Sequence, residues 1–439
     1  MDEKSDNRTK KIFGREDYFK CIDELLQDKN YYRVFLLYWV KILPKLEGKE
    51  TKEDEEIRKE VLRRYPKLFR ELFFKDGRLI SIKNNPVLKS VKKDKKYTDV
   101  VNREYVDLMN YNPWNKKMIG LLKEKKEDEK GIISINYTCP IEYFCLNYDL
   151  NKLKKDYKII LFPSCSIYQH PIYLCYIGEG IDVFLASPYE PDYNFIKSLS
   201  SNLIPFRLGH GDFVKPSEFN NNNNKEVYDI CMMAYNDPFK DYSSLIKMIG
   251  ELKDNEKFKI YFATNENNDK EIRSLCKKEG VKSDITIGWK ERSGWWEVLQ
   301  SSRVFVLNSK REGHCMALSD ALFADCPVMM NKRCVGNNHN FINKKTGVFF
   351  TEKDFGEKLS YLLENRKSFS PRKWAMKNTG CFNARKKLNK LIKKDSLNKG
   401  EKWTKDIAQT WGAVIKYINK EDEYLGDTKD LDKYKIKIG

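Results

Sequence analysis

The chain has 439 residues, enough for two ordinary domains, and its 41% apolar and 13% aromatic shares exclude a disordered or fibrous protein. A net charge of +18 suits an acidic partner, though where the charge lies matters more than its sum. The 11 cysteines are scattered, with no Cys-x-x-Cys pair and no spaced His set, which argues against a zinc site or a disulfide framework and for reduced, mainly buried thiols.

Met1 to Lys11 is charged and lacks the apolar core of a signal peptide, and no apolar run nears the ~20 residues that span a bilayer. The expected location is cytoplasmic. From Glu16 to Phe74 the pattern predicts helices: Ile22, Leu25 and Leu26 recur at helical spacing, as do Val34, Leu36 and Leu37 before Pro44 ends the run. Lys45 to Glu60 reads as a solvated charged stretch, Val61 to Phe74 as a further helix, and Lys89 to Lys96 as a basic loop. Residues 1–125 are therefore expected to form a mainly helical extension packed on the domain that follows.

After Gly131 short strands alternate with helices. Ile132 to Tyr137, Lys158 to Phe162, Ile181 to Ala186 and Leu203 to Phe206 read as strands, and Ile141 to Leu153 and Asp192 to Leu199 as helices. This βαβ rhythm makes 126–219 a short Rossmann-like domain. The Asn220 to Asn224 tract is too polar to pack, so 220–225 reads as a linker. Residues 226–365 repeat the alternation, with strands near Ile230, Ile260, Ile285, Val304, Val328 and Val348 and helices near Leu245, Ile272, Val298, Ala317 and Leu359. The segment 366–439 is helical and basic: residues 366–405 carry fourteen Lys or Arg against only Asp395 and Glu401, around an apolar stripe of Leu388, Leu391 and Ile392. Such a helix can lie on anionic lipid, on nucleic acid, or as a solvated face of the domain.

One stretch organises the rest. Arg303 to Ala324 reads as a buried strand (Val304 to Leu307), a polar loop (Asn308 to His314) and a helix (Met316 to Ala324). The helix start leaves backbone N–H groups unpaired and carries the positive end of the dipole, so the turn at Gly313, His314 and Cys315 is suited to an anion such as a diphosphate. Two acids bracket it, Glu312 in the loop and Asp320 within the apolar helix.

This spacing resembles the E-x7-E motif of the retaining group-1 glycosyltransferases of the GT-B fold, the superfamily of glycogen and sucrose synthase-like enzymes. The register extends upstream through Ile287-Gly288-Trp289 and downstream through Cys326-Pro327-Val328 and Thr346-Gly347. Ala234 to Asp241 falls where the family has G-R-x-x-x-x-K-G, which puts Lys240 on the diphosphate lysine and Tyr235 in place of the arginine. Ile204-Pro205 to Asp212 stands where the family has V-I-P-N-G-V-D, and no Gly-Gly loop follows the first strand of 126–219.

The resemblance implies an α/β protein of GT-B fold, two Rossmann-like domains facing a cleft, with the helical extension and the basic C-terminal segment appended. It implies a hexosyltransferase-type retaining enzyme that takes a UDP- or GDP-sugar, with neither cofactor nor metal. Lys240 and the N–H groups at Gly313 to Cys315 would then stabilise the leaving diphosphate. Glu312 would hold the donor sugar, Asp320 the ribose, and Trp289 would approach the base. His314 could touch phosphate or sugar, while His170 and His210 line the cleft at most. Asp430-Leu431-Asp432 spells a metal-binding D-x-D, but in a charged tail. The acceptor is a hydroxyl on a glycan, a lipid-linked glycan or nucleic acid, the last two motivated by 366–405 and the first of them by a peripheral membrane contact. Two other readings stay open: an inactive GT-B scaffold that binds without catalysis, and a sugar-nucleotide epimerase.

Overall fold

A computed structural model describes residues 117–164, 180–197, 201–219, 225–234, 239–264 and 268–435, together with 19, 20, 22, 23, 52–64, 74, 75, 78, 79 and 176. Tyr235, His170, the Asn tract and Lys89 to Lys96 lie outside the described residues, as does most of the N-terminal segment. What is described there corrects one expectation. Helix α1, Lys52–Arg64, begins within the solvated charged stretch, ahead of the helix expected from Val61. Its charges alternate in sign at helical spacing, with Lys59 on Glu55 at 2.6 Å and both Arg63 and Arg64 on Glu60, pairs that support the helix beside its buried Ile57. Short strands β1 (Phe74–Lys75) and β2 (Arg78–Leu79) pair antiparallel after it.

The first sheet has five strands in sequential order: β3 (Ile119–Lys123), β4 (Gly131–Asn136), β5 (Tyr157–Phe162), β6 (Val183–Ala186) and β7 (Leu203–Phe206). β4 to β7 are parallel, and β4 and β5 are buried along their whole length, as their Ile-rich sequences require. β3 is an antiparallel edge strand inside the segment expected to be helical extension, so the sheet begins before residue 126. The expected helix Ile141 to Leu153 is two helices, α2 (Thr138–Asn147) and α3 (Leu150–Asp156). The chain turns extended at Tyr148, and the Asp149 carboxylate accepts from Lys152 N at 3.1 Å to start the second. Helix α4 spans Glu190–Lys197.

The second sheet is parallel throughout, in the order β10-β9-β8-β11-β12-β13, with β8 at Tyr228–Met233, β9 at Lys259–Ala263, β10 at Asp284–Gly288, β11 at Ser302–Leu307, β12 at Val328–Asn331 and β13 at Gly347–Phe350. Alternate residues face opposite cores. Ile230, Met232, Val304 and Val306 pack with α5 (Tyr242–Gly250), α6 (Asp269–Lys278) and α9 (Phe355–Glu364), whereas Cys231, Phe305 and Leu307 pack with α7 (Arg292–Gln300) and α8 (Met316–Phe323). Strand order reverses between β8 and β11, and a doubly wound sheet takes its ligand in the crevice beyond the strand ends at such a point.

The C-terminal basic segment belongs to the first core. Helix α10 (Pro371–Asn378) leads to α11 (Cys381–Asn398), which lays Ala384, Leu388 and Ile392 against Ile132, Ile160 and Phe184 of the first sheet. The stripe that suggested a surface helix is thus already occupied, and Lys386, Lys387, Lys390, Lys393 and Lys394 form its exposed side. Lys158 is fully buried within β5 and ion-pairs Asp395 at 2.7 Å and Glu401 at 2.8 Å, fixing the far end of α11. Strands β14 (Thr410–Trp411) and β15 (Lys416–Tyr417) form a final hairpin. No helix among the described residues is long and apolar enough to cross a membrane.

Candidate active site

Lys240 follows β8 and Glu312 follows β11, so the switch point brings together residues 72 apart in sequence. Lys240 Nζ donates to Glu312 Oε1 at 2.6 Å, and Ser309 Oγ donates to the same oxygen at 2.6 Å. Burial works against the Lys240 ammonium, but Glu312 more than offsets it, and the lysine pKa stands above its ordinary value. The residues next to the pair in sequence hold further basic side chains. Lys240 and Arg311 both lie over the Phe239 ring, at 5.1 and 5.3 Å, and Lys310 is 3.6 Å from Asp241. Arg333 joins Asp241 to Glu352 and also donates to Ser244 Oγ at 3.2 Å.

The loop before α8 is held from below. Asn331 Nδ2 donates to Asn308 Oδ1 at 2.9 Å, Asn308 Nδ2 donates to Asp241 O at 2.8 Å, and Glu312 N donates to Val335 O at 2.7 Å. The Cys315 N–H, expected to face an anion, is instead given to Asn337 Oδ1 at 2.7 Å. Burial above all, with Glu312 nearby, pushes the Cys315 thiol up to about 12, so it is no nucleophile near neutral pH.

His314 points away from solvent. Its ring is edge-on to Phe341 at 5.0 Å and its Nδ1 stands 3.2 Å from Asp212 Oδ2, while burial holds its pKa below the usual value. Its φ of 148° is a conformation that L-residues seldom adopt. The segment that presses on it comes from the first domain: a Cβ at Gly209 would lie 2.7 Å from His314, and one at Gly211 2.9 Å from Ser319 Oγ. Only glycine permits that approach. Asp212 also accepts from Thr379 Oγ1 at 2.9 Å, which ties together both places where the chain crosses between the sheets.

The other sequence candidates are more dispersed. Asp320 is buried within α8. Trp289, 41% exposed just past β10, is no core residue and leaves an aromatic face at the strand end. His210 is buried rather than cleft-lining, stacked on Tyr137 at 5.0 Å with Nε2 3.0 Å from Phe162 O. Sequence reasoning passed over Ser309 and Asn337, which bond Glu312 and Cys315, and Asp212, whose carboxylate stands beside His314. Ser309 sits three residues before Glu312 and was the one most open to detection. Among the described residues no group of His, Cys, Asp or Glu is placed to hold a metal ion.

Comparison with known proteins reaches part of the chain. Residues 214–379 match the family described as glycosyl transferases group 1. No curated protein matches the chain. Among solved structures, the catalytic domain of cholesterol-alpha-glucosyltransferase from Helicobacter pylori is 20% identical, over 35% of this chain and 99% of that one, with a TM-score of 0.29. Sucrose-phosphate synthase from Thermosynechococcus elongatus is 14% identical over 61% of this chain and 74% of that one, TM-score 0.48. The pneumococcal O-GlcNAc transferase GtfA, in complex with UDP and GlcNAc, is 11% identical over 52% of each chain, so the match spans about half its length, TM-score 0.38. Residues 214–379, which carry the whole second sheet and the Lys240–Glu312 pair, are the part of the chain that is similar to the group-1 glycosyltransferases, and the first sheet stands beside them as a second α/β unit.

Proposed function

We propose that the chain moves a sugar from a nucleotide-diphosphate sugar, of the UDP or GDP type, to a hydroxyl on a glycan-type acceptor, with retention of anomeric configuration and without a metal. The observation that carries this reading is the Lys240–Glu312 pair at the switch point of the second sheet, 2.6 Å apart. A departing diphosphate needs positive charge held ready where its own charge develops, and the Lys240 ammonium, on a flexible stem, can supply it. As the phosphates draw Lys240 toward them, Glu312 is released to accept from donor-sugar hydroxyls, still oriented by Ser309. In this reading Asp320 accepts from the ribose hydroxyls and Trp289 covers the base.

Isothermal titration with UDP, GDP and ADP in the presence of EDTA tests the proposal. Wild-type protein is expected to bind one of them without added metal, Lys240→Ala to bind it at least tenfold more weakly, and Asp320→Ala to lose affinity as well. Glu312→Gln is expected to lower sugar turnover far more than nucleotide affinity. An absolute need for Mg²⁺ or Mn²⁺, or equal affinity in Lys240→Ala, defeats the assignment. Tight nucleotide binding with no transfer to any glycan would instead favour a binding scaffold.

A further inference from the structure

Arg385 is a cation buried without a counterion. It lies in the second turn of α11, is 3% exposed, and faces the first sheet. Its Nη2 donates to Thr410 Oγ1, and the guanidinium lies over the Phe213 ring at 4.8 Å. Its Nε and Nη1 are buried with no hydrogen-bond partner, and among the described residues no carboxylate forms an ion pair with it. A buried guanidinium left unpaired is costly, and the ring face and one hydroxyl return only part of that cost. Burial depresses its pKa to about 9, so it still carries its charge at neutral pH.

The same guanidinium lines a small cavity with Ser134, Asn136, His210 and Gly412, with a volume of about 10 Å³. That is room for roughly one water-sized sphere. The other polar groups of the wall are engaged with one another: Ser134 Oγ donates to Asn136 Oδ1 at 3.1 Å, Asn136 Nδ2 to Ala413 O at 2.8 Å, and His210 Nε2 lies against Phe162 O. What remains unspent are the Arg385 donors and the hydrogen of the Thr410 hydroxyl that accepts from them. The cavity therefore presents donors and a positive charge in a space of single-atom scale, which a halide, being wider than water, enters as the wall yields slightly.

We propose that this cavity binds one small monovalent anion of the halide class, held by Nε and Nη1 of Arg385. A water molecule would satisfy the donors but leave the charge. The site stands at the carboxyl ends of β4 and β5, against the His210–Phe213 turn that follows the Gly209 contact with His314. A bound halide would thus fasten α11 to the segment that packs on the candidate phosphate loop. The proposal does not depend on glycosyl transfer.

Thermal unfolding in sodium chloride against sodium gluconate, at equal ionic strength, tests it. The wild-type melting temperature is expected to rise by a few degrees with chloride and to saturate, because a ligand of the folded state stabilises it by mass action. Arg385→Met is expected to show no difference between the two salts, and Lys386→Gln, on the exposed side of the same helix, to behave as wild type. Equal melting of wild-type protein in both salts, or a chloride effect retained in Arg385→Met, overturns the proposal and leaves a water in the cavity. Should Arg385→Met fail to fold, a wild-type crystal soaked in sodium bromide decides. An anomalous peak at the Arg385 guanidinium supports the site, and its absence there overturns it.

Discussion

At the scale of single residues, the chain's histidines show how far a sequence can be read. His210 stood next to glycines in a segment resembling a cleft loop, and nothing in the sequence separates a ring that lines a cleft from one that seals its floor. The structure buries it, and burial chiefly, despite the Phe162 carbonyl, brings its pKa down to about 4 from an ordinary 6.5. The folded state then binds its proton later than the unfolded chain does. The stability due to neutral His210 is full above pH 6.5 and is lost as pH falls from 6.5 toward 4. The upper bound of that loss is about 3 kcal/mol. Melting curves from pH 7.5 to 4 are expected to show His210→Gln falling less steeply than wild type, since Gln can donate to the same carbonyl without titrating. Parallel curves would mean that His210 is charged or hydrated in solution. That Lys240 and Glu312 would meet was legible because each follows an apolar strand of the same sheet. Asn337 and Asp212 were not, because a side chain that meets another through a fold-dependent contact leaves no periodic trace.

Among elements, the strands of both sheets could be read because a strand buried on two faces must be an apolar run, and β5, β6, β8, β11 and β12 all are. The edge strand β3 escaped notice since Ile119 to Lys123 is short and flanked by charge. Helix α11 was found, but its partner was not. Lysines on its outer side made a narrow stripe look like a surface element, whereas Leu388 and Ile392 are fully enclosed by the first sheet. Leu388→Ala is therefore expected to destabilise the protein by about 2–5 kcal/mol, the range for emptying a buried leucine site. Denaturant unfolding measures it, with Lys390→Ala on the exposed face as a control expected within about 0.5 kcal/mol of wild type. A Leu388→Ala loss no larger than the control would place α11 outside the folded core. The charged α1 was misread for a related reason: periodicity was sought in apolar residues, and this helix carries it in Glu55, Lys59 and Glu60.

For the whole molecule, the question is what the net charge of +18 does once its location is known. Part of it lies at the candidate site, where Lys240 would serve an anionic donor. Another part is internal, as Lys158 and Arg385 show. The rest includes the exposed lysines of α11, and because the apolar stripe beneath them is occupied by the first sheet, that helix cannot insert into a bilayer without uncovering a core. Any attraction to anionic vesicles or to DNA through this face must then be electrostatic alone. Such binding releases counterions and is screened within about 8 Å at 0.15 M salt. Wild-type protein is expected to bind both surfaces at about 0.02 M salt and to release them by about 0.15 M. Changing Lys386, Lys387, Lys393 and Lys394 to Gln should weaken the low-salt binding and flatten its dependence on salt, with the melting temperature unchanged. Sedimentation with vesicles and fluorescence anisotropy with labelled DNA read both quantities. Binding that persists above 0.15 M, equally in wild type and variant, would require an apolar or base-specific contact elsewhere in the chain and would remove α11 from the account.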